Sequence, residues 1–360
     1  MESDIAYWVA LRSYEKFGPR SFERLCLHFR TMKEAFEAPR EAFLAAGITP
    51  NAIEGFLGLR DEIHPESLMQ ELEHHHICVL TKRSTNYPKL LSTIYDAPPV
   101  LFLQGPLPPD DQPTLAIVGS RKASPYGLRV AAQFAGELAD AGVVVVSGLA
   151  WGIDEAAHMA TVKHQGVTVA VLASGHAALT GRQRYLAAQI LEHRGAILSE
   201  FLPNVSSFRH HFPIRNRIIS GMSQGTLVVE AIEKSGSLIT AKSAIDQGRD
   251  VFAIPGPIDS PTSVGTHALL KAGAYPTTVV SDILDVLHIE SRAPEATITR
   301  PMPDTKEEAI LLPLLSKTPI HIDALAKQAG LPMSAVLSSM TLMQLKGRIR
   351  EVGGMHYILV

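Results

Sequence analysis

Cysteine is nearly missing from this chain of 360 residues: Cys26 and Cys78 stand 52 positions apart, with no CxxC anywhere. That excludes a disulfide framework and a cysteine zinc site, and the two thiols are expected to be buried. Charge is scarce as well. Only 19% of residues are Asp, Glu, Lys or Arg while 46% are apolar, a balance too hydrophobic for intrinsic disorder and sufficient for a large core. Long hydrophobic runs are absent, the greasiest stretch lying around Val143–Val146, far short of the roughly 20 residues of a membrane span. The acidic start Met1-Glu2-Ser3-Asp4 is unlike the positively charged opening of a secretory signal. A soluble, cytoplasmic protein of two or three domains is expected. Two signatures are missing too, G-x-x-x-x-G-K-[ST] and G-x-G-x-x-G, and Val145-Val146-Ser147-Gly148-Leu149 lacks the G-x-S-x-G elbow. Their absence excludes a P-loop ATPase and argues against a dinucleotide cofactor or a serine hydrolase. No cofactor and no resident metal are expected; His74-His75-His76 and His210-His211 are poor metal candidates because adjacent side chains diverge.

The charge that is present is unevenly placed. Net charge is −5 over residues 1–111, +4 over 112–229 and −2 over 230–360. Within the basic middle, Gln112–Gly136, Ala156–Leu191 and Phe201–Val229 contain no acid at all. A solvated surface normally mixes signs, so this middle points to an anionic ligand.

Residues 1–80 read as a helical module, with apolar positions at helical spacing (Leu25, Phe29, Met32, Phe36) broken by Gly18-Pro19 and Gly47-Ile48-Thr49-Pro50. The two glycine turns suit either helix-hairpin-helix phosphate contacts or simple packing, the second being favoured. Residues 81–290 form the core, in which from Leu115 the pattern is strand, glycine loop, helix, repeated. Continuous apolar runs at Leu115–Val118, Val143–Val146, Val167–Ala173, Ala196–Leu198, Thr226–Val229, Val251–Ile254 and Thr277–Val280 predict strands buried on both faces of a doubly wound parallel α/β sheet. Residues 291–306 carry three prolines and form a linker. Residues 307–360 give three helical patterns and a hairpin around Gly353-Gly354, a winged-helix arrangement. Its candidate recognition helix, Pro332–Gln344, has no Lys or Arg, which favours protein contact over groove reading.

Ligands of open parallel sheets bind beyond the carboxyl ends of the strands, where the glycine-rich segments fall. Gly119-Ser120-Arg121-Lys122 offers amides, a hydroxyl and cations at a helix start, a phosphate site; the bland alternative is a turn with a surface arginine. Ser147-Gly148 follows the second strand, with Asp154 and His158 beyond it on one helix face. Ser206–Gly221 combines Arg209, Arg215 and Arg217 with Phe208 and Phe212, and includes Asn216. Guanidinium groups and stacking rings are the means of holding unpaired nucleic acid, although an internal salt bridge at Arg217 fits the same letters. Glu230 is either an orienting carboxylate for these arginines or a catalytic acid. Ser235-Gly236-Ser237 is a small-residue turn into a helix.

Taken together, VGSR ending at Arg121, SGLAWGIDEAAH (147–158), ILSEF (197–201), FPIRNRIISGMS (212–223), VVEAIEKSGSLITA (228–241) and GRDVFAIPG (248–256) resemble the DNA-processing protein A family, DprA or Smf. The resemblance implies a Rossmann-like core between a SAM-like helical module and a winged helix. It also implies a non-catalytic, homodimeric mediator that binds single-stranded DNA, protects strands entering during natural transformation and helps load the RecA recombinase. Carried onto this chain, Gly119, Ser120 and Arg121 form a phosphate pocket beside Arg215, Asn216 and Arg217, with Ser235-Gly236-Ser237 on its border. His176–Arg184 departs from the family's acidic and aromatic stretch, leaving that loop's contacts open. Two other readings remain: a nucleotide-processing enzyme resembling the phosphoribohydrolases, whose Pro-Gly-Gly is missing before Thr226, and a transcriptional regulator using the winged helix.

Overall fold

In the computed structural model, residues 2–290, 305–316, 319–346 and 348–359 are described; most of the expected linker lies outside them. The chain divides into two compact units, Met1–Ala293 and Pro294–Val360.

The first unit opens with helices α1 (Glu2–Arg12), α2 (Pro19–His28), α3 (Met32–Glu37), α4 (Arg40–Ala45), α5 (Pro50–Leu59) and α6 (Pro65–His74). Proline sits at the first turn of α2, α5 and α6, where its missing N–H costs nothing. Gly47, at φ +82, turns the chain between α4 and α5. Phe17, Phe22, Phe43 and Phe56 are fully buried among these helices. Strand β1 (Cys78–Thr81), the short helix α7 (Lys89–Ser92) and strand β2 (Val100–Gln104) follow. Cys78 is exposed and Cys26 half-buried, against the expectation of two buried thiols.

The repeating part then runs β3 (Thr114–Val118), α8 (Pro125–Asp140), β4 (Val144–Ser147), α9 (Ile153–Lys163), β5 (Thr168–Leu172), α10 (Gly181–Glu192), β6 (Ala196–Ser199), α11 (His211–Gly221), β7 (Gly225–Val228), α12 (Gly236–Asp246), β8 (Asp250–Ala253), α13 (Val264–Lys271), β9 (Tyr275–Pro276) and α14 (Ser281–Val286). Nine described strands form one sheet in the order β1-β2-β6-β5-β4-β3-β7-β8-β9. Pairing is parallel from β6 to β9, while β2 runs antiparallel to both β1 and β6. The strands are apolar throughout because both faces are covered: Ala116, Val118, Val144 and Val146 pack on one side, Leu115, Ile117, Val143 and Val145 on the other. The same alternation seats the helical module, since Val100 and Phe102 of β2 join its core while Leu101 and Leu103 face the opposite way.

One expectation changes. Residues 277–280 are not a strand: the N–H groups of Thr278 and Val279 donate to the Asp282 carboxylate at 2.7 and 3.1 Å, setting up α14 instead of a ladder.

The second unit contains α15 (Lys306–Leu311), β10 (Ile320–His321), α16 (Ile322–Ala329), α17 (Met333–Leu345), β11 (Ile349–Glu351) and β12 (His356–Leu359), the strands pairing as β10-β12-β11. It is a winged helix. Lys346 and Arg348, just past α17, both reach the buried Glu308 carboxylate, at 2.8 and 2.7 Å.

Candidate nucleic-acid interface

From β3 the chain builds β4, β5 and β6 to one side, then returns to lay β7 and β8 on the other. The loops after β3 and β7 therefore part, opening a crevice at the sheet's rim. The β3 loop begins at Gly119, where a Cβ would stand 2.5 Å from Cγ1 of Ile153 on α9; only glycine permits this approach. Ser120 is buried and its Oγ accepts the Lys122 N–H at 3.1 Å, which leaves Arg121 and Lys122 exposed. Glu230 anchors the loop's far end. Its carboxylate accepts the Ser124 N–H at 2.9 Å and the hydroxyls of Ser124 and Thr262. These bonds fix the start of α8, where a helix favours negative charge, and they come from Ser124 and Thr262 rather than from the arginines.

Beneath the crevice lies a buried arginine that braces the loops by hydrogen bonds. Arg215, 4% exposed, donates to the backbone carbonyls of Gly148 and Val171, and its Nε reaches Asn216 Oδ1 at 3.1 Å. Burial lowers its pKa to about 10, opposed by Asp154, so it stays cationic at neutral pH. Burial raises Asp154 above the usual carboxyl range, while Arg215 and the Gly148 N–H, 3.1 Å away, hold it down. Ser147 donates to the Ile117 carbonyl at 2.6 Å, and His158 meets Thr168 Oγ1 at 2.7 Å. Burial drops His158 to about 3, so it is neutral. With Ser147 and His158 engaged elsewhere, these residues form no hydrolytic triad.

The crevice itself is a cavity of about 680 Å³. First-turn residues of three helices line it: Asp154 of α9, Phe212 and Pro213 of α11, Gly236 and Ser237 of α12. Three positive helix ends converge there. Ser235 caps α12 through the Ser237 N–H, and Asn216 Nδ2 donates to the Gly236 carbonyl at 3.1 Å, tying α11 to α12. The Arg121 guanidinium stands 4.2 Å from the centroid of the Phe212 ring, a cation–π contact that holds the charge over the opening. Asp154 is the acidic residue among the lining groups, against Arg121, Lys122, Arg209, Arg215 and Lys234.

Of the residues singled out in the sequence, Gly119, Ser120, Arg121, Lys122, Arg209, Phe212, Arg215, Asn216, Ser235, Gly236 and Ser237 line this cavity, and Gly148 lines a smaller one beside it. Ser147 is fully buried. Arg217 lies elsewhere, pairing with Glu200 at 2.6 Å and Asp96 at 3.5 Å; the internal salt bridge is the correct reading of that position. Phe208 is exposed but does not line the cavity. Lys234 and Trp151 were missed, although both sit inside motifs already noted, one before Ser235 and the other before Gly152. In the atypical loop, Arg182 pairs with Glu155 of α9. His210 and His211 do not diverge as expected: their nitrogens gather with the Glu15 carboxylate within 4.8 Å, His211 stacking on Phe201.

Residues 78–288 match the DNA recombination-mediator protein A family and residues 293–355 the DprA winged helix domain. The chain is 40% identical to Protein Smf of Escherichia coli over 320 residues, 86% of this chain and 84% of that one. It is 42% identical to the DNA processing protein DprA of Streptococcus pneumoniae over 198 residues, 55% of this chain and 70% of that one. The solved structure of the pneumococcal protein superposes with a TM-score of 0.66 at 32% identity, covering 78% of this chain and 97% of that one. DNA processing protein A from Helicobacter pylori, solved for its single-stranded DNA binding mode, superposes at 0.51 with 26% identity, over 59% of this chain and 95% of that one.

Proposed function

The chain belongs to the DNA recombination-mediator protein A family, and from that premise we propose that its rim cavity grips the sugar-phosphate chain of single-stranded DNA without cutting it. The observation that carries this reading is Arg121, an exposed guanidinium held over Phe212 where three helix N-termini converge. Phosphate contacts supply affinity that falls with salt, through counterion release. Stacking on aromatic faces supplies the preference for unpaired bases. The buried carboxylates speak for holding rather than chemistry: Glu230 is engaged by Ser124 and Thr262, and Asp154 by Gly148. On the family resemblance, the role extends to shielding strands that enter during natural transformation and to helping RecA load on them, with a homodimer as the acting form and the cytoplasm as its place.

Fluorescence anisotropy with a labelled oligothymidylate, at two salt concentrations and against duplex of equal length, tests the reading. Binding stronger to the single strand and weakened by salt is expected. Equal binding to duplex, or indifference to salt, would overturn it. Release of ribose phosphate from a nucleoside monophosphate would favour the enzymatic alternative.

A further inference from the structure

The hollow does not end at Arg121. Two smaller cavities, of about 210 and 430 Å³, open beside the main one; Arg121 lines all three, and Trp151 lines both of the smaller two. The indole is 54% exposed, unusual for so large an apolar group unless a partner covers its face. Its loop is firmly built. Leu149, at φ +53, is 2% exposed, and its carbonyl accepts from Gln183 Nε2 at 2.9 Å. Gly152, at φ +83, closes the turn against the Ser120 carbonyl. The backbone is thus held on both sides while the ring stands free. Around it lie Arg121, Lys122 and Arg182; Glu155, the acid on this wall, is already paired with Arg182. The flank of Met159, 47% exposed, extends the apolar floor.

We propose that Trp151 is a base-stacking platform: the unpaired strand leaves the main cavity beside Arg121 and lays a base on the indole, while Arg121 and Lys122 hold the adjoining phosphates. This rests on the reading of the main cavity and adds a second subsite to it. A flat aromatic face flanked by guanidinium groups accepts any base, because every base has a π-face.

The chain has two tryptophans, and the other, Trp8, is 4% exposed and stacked on Phe22. Trp8→Phe therefore makes Trp151 the sole fluorescent indole. Oligothymidylate should quench its emission with the same half-saturation that anisotropy gives, whereas an abasic oligomer of equal charge should leave emission unchanged. Trp151→Ala should weaken oligothymidylate binding about 5- to 50-fold, with most of the loss recovered in Trp151→Phe. Undiminished emission, with Trp151→Ala binding as tightly as the parent, would overturn the platform while leaving the cavity reading intact. Failure of the parent chain to bind oligothymidylate at all would overturn both.

Discussion

Three arginines that look alike in the sequence have three different roles, and mutation should separate them. Arg121→Ala removes an exposed charge from the rim. We expect it to weaken single-stranded DNA binding about 10- to 100-fold and lower the salt slope by about one, with the melting temperature unchanged. Arg215→Ala leaves the buried carbonyls of Gly148 and Val171 and the Asn216 side-chain oxygen without their donor, so it should destabilise the fold by about 3 kcal/mol or more. Thermal melts beside anisotropy check both. For Arg217→Ala, loss of stability through Glu200 with DNA affinity kept in the folded fraction is expected. The sequence made Gly119-Ser120-Arg121 legible because a glycine-serine-arginine turn after an apolar run has a local meaning. It could not separate Arg215 from Arg217, whose partners Gly148, Val171, Glu200 and Asp96 lie far away along the chain.

The secondary elements position these side chains through close loop contacts more than through helix propensity. Gly152 carries φ +83, and a Cβ there would run into the Ser120 carbonyl next to Arg121. Gly152→Ala should therefore displace the Arg121 turn and reduce DNA affinity, although no group that touches DNA is altered; a drop of at least about 10-fold in an anisotropy titration is the expected result. The parallel strands were readable from their continuous Val, Ile and Leu runs. Strands β1 and β2 were not, because they pair antiparallel outside the strand-helix repeat and one face of β2 is covered by the helical module, which only the fold brings there. At 277–280 a β-branched run imitated a strand, but a downstream aspartate captured its amides.

At the scale of the whole molecule, a chain of net charge −3 concentrates positive charge at one rim and keeps several ionisable groups buried. His158 and His176, buried and lowered to about 3 and about 4, titrate below the roughly 6.5 of free imidazole. Between those values the unfolded chain takes up protons that the folded chain refuses. Stability is therefore full above pH 6.5 and falls as pH drops toward 4, by up to about 1.4 kcal/mol per pH unit for each histidine. Melting temperature against pH should show this slope, flattened in His158→Gln. The doubly wound sheet and the carboxyl-terminal winged helix were legible from composition and periodicity. The burial of the central arginine was not, since it depends on strands and helices converging from 148 to 216.

On the proposed reading the phosphate chain lies in the rim cavity. Photo-crosslinking of oligonucleotides carrying 5-iododeoxyuridine, read out by peptide mapping, tests it most directly. Crosslinks should fall within 119–122, 151, 209–216 and 234–237, and disappear at high salt. Crosslinks confined to the winged helix at 305–359, or to the helical module at 2–74, would contradict it.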